Sequence, residues 1–234
     1  MTRERTARAL LAAFGLLTAV HLGALLAGAG TVEVVTKPAL MPVLAAYVLA
    51  RGGPVLLAAA LLFGCGGDTL LQVGGDTAFL AGMASFAAGH VCYLVLFVRR
   101  GAAPEWGRRW ALATVAAAYA VAWLGTVALL WPDLVADLRV PVAGYSLLLT
   151  AMAYGALRAG TGAAAGGLLF LASDTLIATG IAHWPQPPAP QFCIMLTYLA
   201  AQWLLADGAL RRTATAARRS SPHSLTASSA STIP

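Results

Sequence analysis

Charge is what this sequence lacks. Only 10% of its 234 residues are Asp, Glu, Lys or Arg, against about 25% in a soluble globular domain, while 59% are hydrophobic. So few ionic groups cannot cover a globular surface, which excludes a soluble fold and leaves lipid as the solvent. Cysteine is scarce too. Cys65, Cys92 and Cys193 are the three in the chain, and all fall within or at the start of apolar stretches. A structural disulfide is therefore not expected, and no metal-ligand spacing is present. The short alternating segments of a transmembrane β-barrel are also missing.

What the chain has instead is apolar runs. Crossing the ~30 Å of hydrocarbon takes ~20 mostly apolar residues, and eight stretches qualify: 8–28, 34–50, 54–73, 77–98, 109–131, 139–157, 161–181 and 191–210. They are rich in Leu, Ala and Val with scattered Gly and Ser, as suits helices that pack closely in lipid. The fold class is thus an all-α integral membrane protein with eight transmembrane helices, its transmembrane domain covering residues 1–210. Segment 8–28 follows three arginines like a secretory signal, but its apolar part exceeds the ~7–15 residues of a signal and reads as an uncleaved first span. Residues 211–234 are rich in Ser, Thr, Ala and Arg with two prolines, the composition of a disordered tail.

The formal net charge of +6 orients the protein and does not point to nucleic acid. With the N-terminus in the cytoplasm, cytoplasmic segments hold Arg3, Arg5, Arg8, Arg51, Arg99, Arg100, Arg108, Arg109, Arg158, Arg211, Arg212, Arg218 and Arg219. Lys37 and Arg139 lie opposite, so thirteen of the 15 basic residues are on one side. That bias supports an even number of spans with both termini cytoplasmic. The Ala, Arg and Gly bias suggests a bacterial cytoplasmic membrane.

The two halves echo each other at an offset of about 106 residues. Ala46-Tyr47 with Arg51 returns as Ala153-Tyr154 with Arg158. Leu61-Leu62-Phe63 leading to Asp68-Thr69-Leu70 returns as Leu168-Leu169-Phe170 leading to Asp174-Thr175-Leu176. Four spans separate the copies, which makes the echo a parallel four-plus-four repeat about an axis along the membrane normal.

Asp68 and Asp174 are the residues least suited to hydrocarbon. Each lies 14 residues into its span, after Pro54 and Gly160, or about 21 Å from the cytoplasmic end. Both therefore sit in one layer. An ionised Asp at the centre of a span costs ~2.5–3.5 kcal/mol on insertion scales and usually faces a cavity or a partner. Two carboxyl groups in one low-dielectric site share a proton near neutral pH, so that one serves as acid and the other as base. The alternative is a pair of carboxylates that only hold the bundle together, and the sequence leaves open which of the two carries the proton. Other polar residues lie close by. His90 and Tyr93 fall within the fourth span, as interhelical struts or as site residues. Tyr198 and Gln202, four apart, share one face of the eighth helix. Lys37-Pro38 opens the second span, where Lys37 meets an anionic head group or pairs with Glu33 and Asp76.

These residues form a pattern. The run Gly67-Asp68-x-Leu70-Leu71, then Asp76-x-x-Phe79-x-x-Gly82-x-x-x-Phe86-x-x-Gly89-His90-x-x-Tyr93, resembles the YhhN-like transmembrane lysoplasmalogenases. Lys37-Pro38, Ser173-Asp174 and Thr197-Tyr198-x-x-Ala201-Gln202 fit the same pattern. The resemblance implies a hydrolase that cleaves the alkenyl ether bond of lysoplasmalogens to a fatty aldehyde and a glycerophospho-head group, with no metal or cofactor. It implies Asp68 and Asp174 as the catalytic pair. Lys37, His90, Tyr93, Tyr198 and Gln202 then bind or orient a lysophospholipid substrate. A small-solute or proton-coupled transporter is the other reading, since repeats, glycine-rich helices and paired acids also suit alternating access.

Overall fold

The computed structural model describes residues 2–100 and 106–219. They form eight helices: α1 (Thr2–Ala27), α2 (Gly30–Ala50), α3 (Val55–Val73), α4 (Asp76–Arg100), α5 (Trp106–Leu130), α6 (Ala136–Ala156), α7 (Thr161–Ile181) and α8 (Pro190–Arg219). All eight are long and apolar enough to cross a membrane, and no strand occurs among the described residues. The expected limits hold to within four residues except at α1, which starts six residues before the expected 8, and at α8. The larger difference is at α8, which runs nine residues past the expected limit of 210. Hydropathy marks where the hydrocarbon ends, not where hydrogen bonding ends. Beyond that level an Arg211–Asp207 pair at 2.6 Å and Thr215, bonded back to the Arg211 carbonyl, continue the helix. The remainder of the expected tail, 220–234, lies outside the described residues.

Successive helices α1 to α4 pack side by side, and α6 joins α4 to α7. Helix α8 lies along α7 and reaches across to α1, α2 and α3, closing the bundle. Helix α5 stands apart and leans chiefly on α6. Met41, Leu44, Leu57, Leu61, Met152 and Leu205 fill the centre, all fully buried. Leu124, Leu129 and Val140 face outward, where the bilayer takes the place of a core.

Two features set the helices that carry the acids. In lipid, helices gain little by hiding apolar surface from each other, so close approach depends on small residues. A side chain at Gly67 of α3 would put its Cβ 2.4 Å from the Phe86 ring of α4, and one at Gly166 of α7 would lie 2.9 Å from the Ala201 carbonyl of α8. The α3–α4 and α7–α8 pairs are the closest-packed in the bundle for this reason. The second feature is proline. Pro42 has no N–H for the Pro38 carbonyl one turn earlier, and an orphaned carbonyl in hydrocarbon must find another donor. The Cys65 thiol of α3 supplies it at 3.2 Å, which ties α2 to α3 three residues from Asp68.

Close packing at Gly67 makes a stability prediction. Gly67→Ala should lower unfolding free energy by about 1–3 kcal/mol through overpacking. Gly15→Ala, where an added Cβ meets nothing within 4 Å, should be neutral or slightly stabilising. Denaturant unfolding of the purified proteins in detergent checks this, and equal losses at the two positions would contradict the packing account.

Candidate functional site

Asp68 and Asp174 line one cavity of about 80 Å³, together with Lys37, Tyr145, Ser173 and Tyr198. Phe79, Met83, Phe86, Ile177, Ile181 and Met195 complete its walls. Five helices contribute the polar groups: α2 brings Lys37, α3 Asp68, α6 Tyr145, α7 Ser173 and Asp174, and α8 Tyr198. Hydrocarbon offers a carboxylate no water, so each acid needs a donor from the protein. Each has a phenol. Tyr198 donates to Asp68 Oδ2 at 2.9 Å, and Tyr145 donates to Asp174 Oδ2.

Beyond the phenols the two acids differ. The Lys37 ammonium lies 3.7 Å from Asp68 Oδ1, so Asp68 has a cation and a phenol on opposite oxygens. No ion pair to Asp174 occurs among the described residues. Asp68 is buried at 4% exposure, whereas Asp174 is half-buried. Asp174 also borders a second void, outside the acid cavity.

A second row of residues holds the phenols in place. Gln202 Nε2 and the Tyr198 hydroxyl both lie against Gly64 of α3, and Gln202 Oε1 accepts from the Tyr93 hydroxyl at 2.6 Å. Polar contacts thus tie Tyr198 of α8 to Asp68 of α3 and Lys37 of α2, and Tyr93 of α4 to Gln202 of α8. On the other side His90 Nε2 lies 3.1 Å from the Tyr145 hydroxyl. Because Tyr145 spends its proton on Asp174, Nε2 carries the hydrogen in this contact. The opposite ring nitrogen, Nδ1, is buried with no hydrogen-bond partner among the described residues. Phe170 packs edge-on against the His90 ring at 4.8 Å.

Of the residues singled out in the sequence, Asp68, Asp174, Lys37 and Tyr198 meet in the cavity. His90 stands behind it against Tyr145, and Tyr93 and Gln202 bond each other outside its lining. Lys37 pairs with Asp68 and with neither Glu33 nor Asp76. Ser173 turns its hydroxyl to the Ile194 carbonyl at 3.1 Å and fastens α7 to α8. Tyr145 was missed. It belongs to no motif in the sequence, and its signal is only that of a phenol in the middle of an apolar span. Among the described residues no three of His, Cys, Asp and Glu converge on a point that could hold a metal ion.

The Lys37–Asp68 pair makes a prediction independent of activity. Lys37→Met leaves a buried carboxylate without its cation and should cost about 1–3 kcal/mol of stability. Adding Asp68→Asn should restore part of that loss. Additive losses in the double variant, read by denaturant unfolding, would mean the two groups do not interact.

Residues 32–209 match the YhhN family. The chain is 36% identical over 157 residues to the human (Homo sapiens) lysoplasmalogenase TMEM86B, covering 67% of this chain and 64% of that protein. It is 36% identical over 171 residues to the Sus scrofa protein of the same name, with 70% of each chain covered. It is 37% identical over 131 residues to a lysoplasmalogenase of Mycobacterium bovis, covering 53% of this chain and 49% of that one. The matched segments thus span less than two thirds of the human and mycobacterial relatives' length. No solved structure matches the chain.

Proposed function

The chain belongs to the YhhN family, and from that premise we propose that it is an integral membrane hydrolase of the alkenyl ether bond of lysoplasmalogens. The products are a fatty aldehyde and a glycerophospho-head group. The observation that carries this reading is the meeting of Asp68 and Asp174 in one small cavity walled by apolar side chains. The named relatives, all lysoplasmalogenases, support the substrate class.

Lys37 assigns the roles. A cation beside Asp68 stabilises that carboxylate as an anion, while Asp174 has a phenol but no cation and so carries the shared proton. Asp174 passes its proton to the alkenyl carbon, leaving an oxocarbenium ion whose charge the Asp68 carboxylate faces. Water adds to the cationic carbon and gives its proton to a carboxylate. The hemiacetal then breaks its bond to the glycerol oxygen: a carboxylate takes the hydroxyl proton and a carboxyl group returns one to the departing oxygen. One water is consumed and the two acids end as they began. Glycosidases use the same pairing of carboxyl groups on a similar cation. Tyr198 and Tyr145 orient the acids, and His90 orients the Tyr145 phenol. Lys37 acts as the counter-ion of Asp68 in this scheme.

With both termini cytoplasmic, the cavity lies in the outer half of the bilayer. The other reading, a transporter, calls for broken helices around a midplane site. Each described helix runs unbroken through its span.

Aldehyde release from a lysoplasmalogen by purified protein tests the reading. Asp68→Asn and Asp174→Asn should each lower kcat by about 10²-fold or more, the usual worth of a positioned acid or base. Near-wild-type turnover in both variants would remove the dyad.

A further inference from the structure

The acid cavity cannot hold a whole lipid. At about 80 Å³ it is smaller than the ~150 Å³ void that takes a benzene ring. It has room for a reacting bond and a water, and none for a hydrocarbon chain. A larger void of about 250 Å³ lies between α5, α6 and α7. The two share Val142, Tyr145, Asp174 and Ala178, so the Tyr145–Asp174 pair is the partition between them. Asp174, half-buried, lines both spaces.

The second void follows α5 from Tyr119 to Leu130, about 16 Å of helix rise. Trp123 bonds Ser146, next to Tyr145, so about 10 Å of the slot lies on the Leu130 side of the acid and about 6 Å, one turn, lies beyond it. Ala122, Trp123, Val127, Leu149 and Leu171 give it apolar walls. Its far rim is different. Arg139 lines that end, with its guanidinium 5.9 Å from the Trp131 ring centre and its Nε donating to the Leu134 carbonyl at 3.1 Å. Arg139 stands six residues before Tyr145 on α6, or about 9 Å along the helix. An amphiphile with an anionic group a few bonds from its reactive bond suits that spacing.

Access is from the side. Helix α5 rests chiefly on α6, where the Trp123 indole donates to the Ser146 hydroxyl at 3.1 Å. It barely touches α7, so the slot opens toward the acyl chains between α5 and α7. We infer that this slot admits the substrate sideways from the bilayer, with the phosphate at Arg139, the alkenyl ether against Asp174 and the first carbons of the chain in the turn of slot beyond it. The inference rests on the reading of the protein as an ether-lipid hydrolase.

Photolabelling tests the site without relying on catalysis. An alkyl-ether lysophosphatidylcholine with a diazirine in its chain, which the enzyme cannot hydrolyse, should label residues 122–127 and 149–150 in detergent-purified full-length protein. Excess unlabelled alkyl lysophosphatidylcholine should suppress that labelling, and Ala122→Trp, which fills the open slot, should abolish it. In activity assays Ala122→Trp should lower kcat/KM at least tenfold on a hexadecenyl and on a hexenyl lysoplasmalogen alike, since position 122 stands beside the level of the reacting bond. Labelling that is uniform over the lipid-facing helices and resists competition overturns the inference, as does unchanged turnover of both lipids in Ala122→Trp. Competed labelling of the slot without aldehyde from either lipid would keep the lipid site and sink the hydrolase reading instead.

Discussion

A carboxylate in hydrocarbon has no water to turn to, and most of this molecule's architecture answers that problem twice. Asp68 is met by a lysine from α2 and a phenol from α8, Asp174 by a phenol from α6. Supplying those partners fixes which helices must adjoin. Helix α8 must cross the bundle to bring Tyr198 to α3, and it does so while packed along α7 on glycines that leave no space for a Cβ. Helix α2 must stay close to α3, and the carbonyl freed by Pro42 is held by Cys65 of α3. The proposed reaction draws on the unequal treatment of the two acids: Asp68 has a cation beside it, and Asp174 has none among the described residues.

The spans, their number and the depth of the acids were legible in the sequence because they follow from composition and from helix rise alone. Asp68 and Asp174 could be placed in one layer by counting from Pro54 and Gly160, without knowing which helices touch. Contacts across the bundle were not legible in that way. Lys37 had Glu33 one turn away in the chain and Asp76 at the end of the next loop on the same face, and only the packing of α2 on α3 brings it to Asp68. Tyr145 escaped for the same reason, since a lone phenol in an apolar run looks like ordinary filling until α6 is laid beside α7. The helix past 210 was hidden because a basic, alanine-rich stretch reads as a tail by composition yet has good helix formers. The echo between the halves stays a property of the sequence.

Standing apart from the bundle, α5 has little to do with holding it together. Its slot on α6 and α7 places a second void against the flank of Asp174, outside the cavity that holds Asp68. In the proposed reaction that division separates the charged pair and its supports from the path by which a lipid would enter.

The central claim is the unequal charge state of the two acids, and infrared spectroscopy of the purified protein reads it directly. A protonated carboxyl group buried in hydrocarbon has a carbonyl stretch separate from that of carboxylates and amides. The account predicts such a band in the wild type at neutral pH, lost in Asp174→Asn and kept in Asp68→Asn. A band that survives Asp174→Asn and disappears in Asp68→Asn would contradict it.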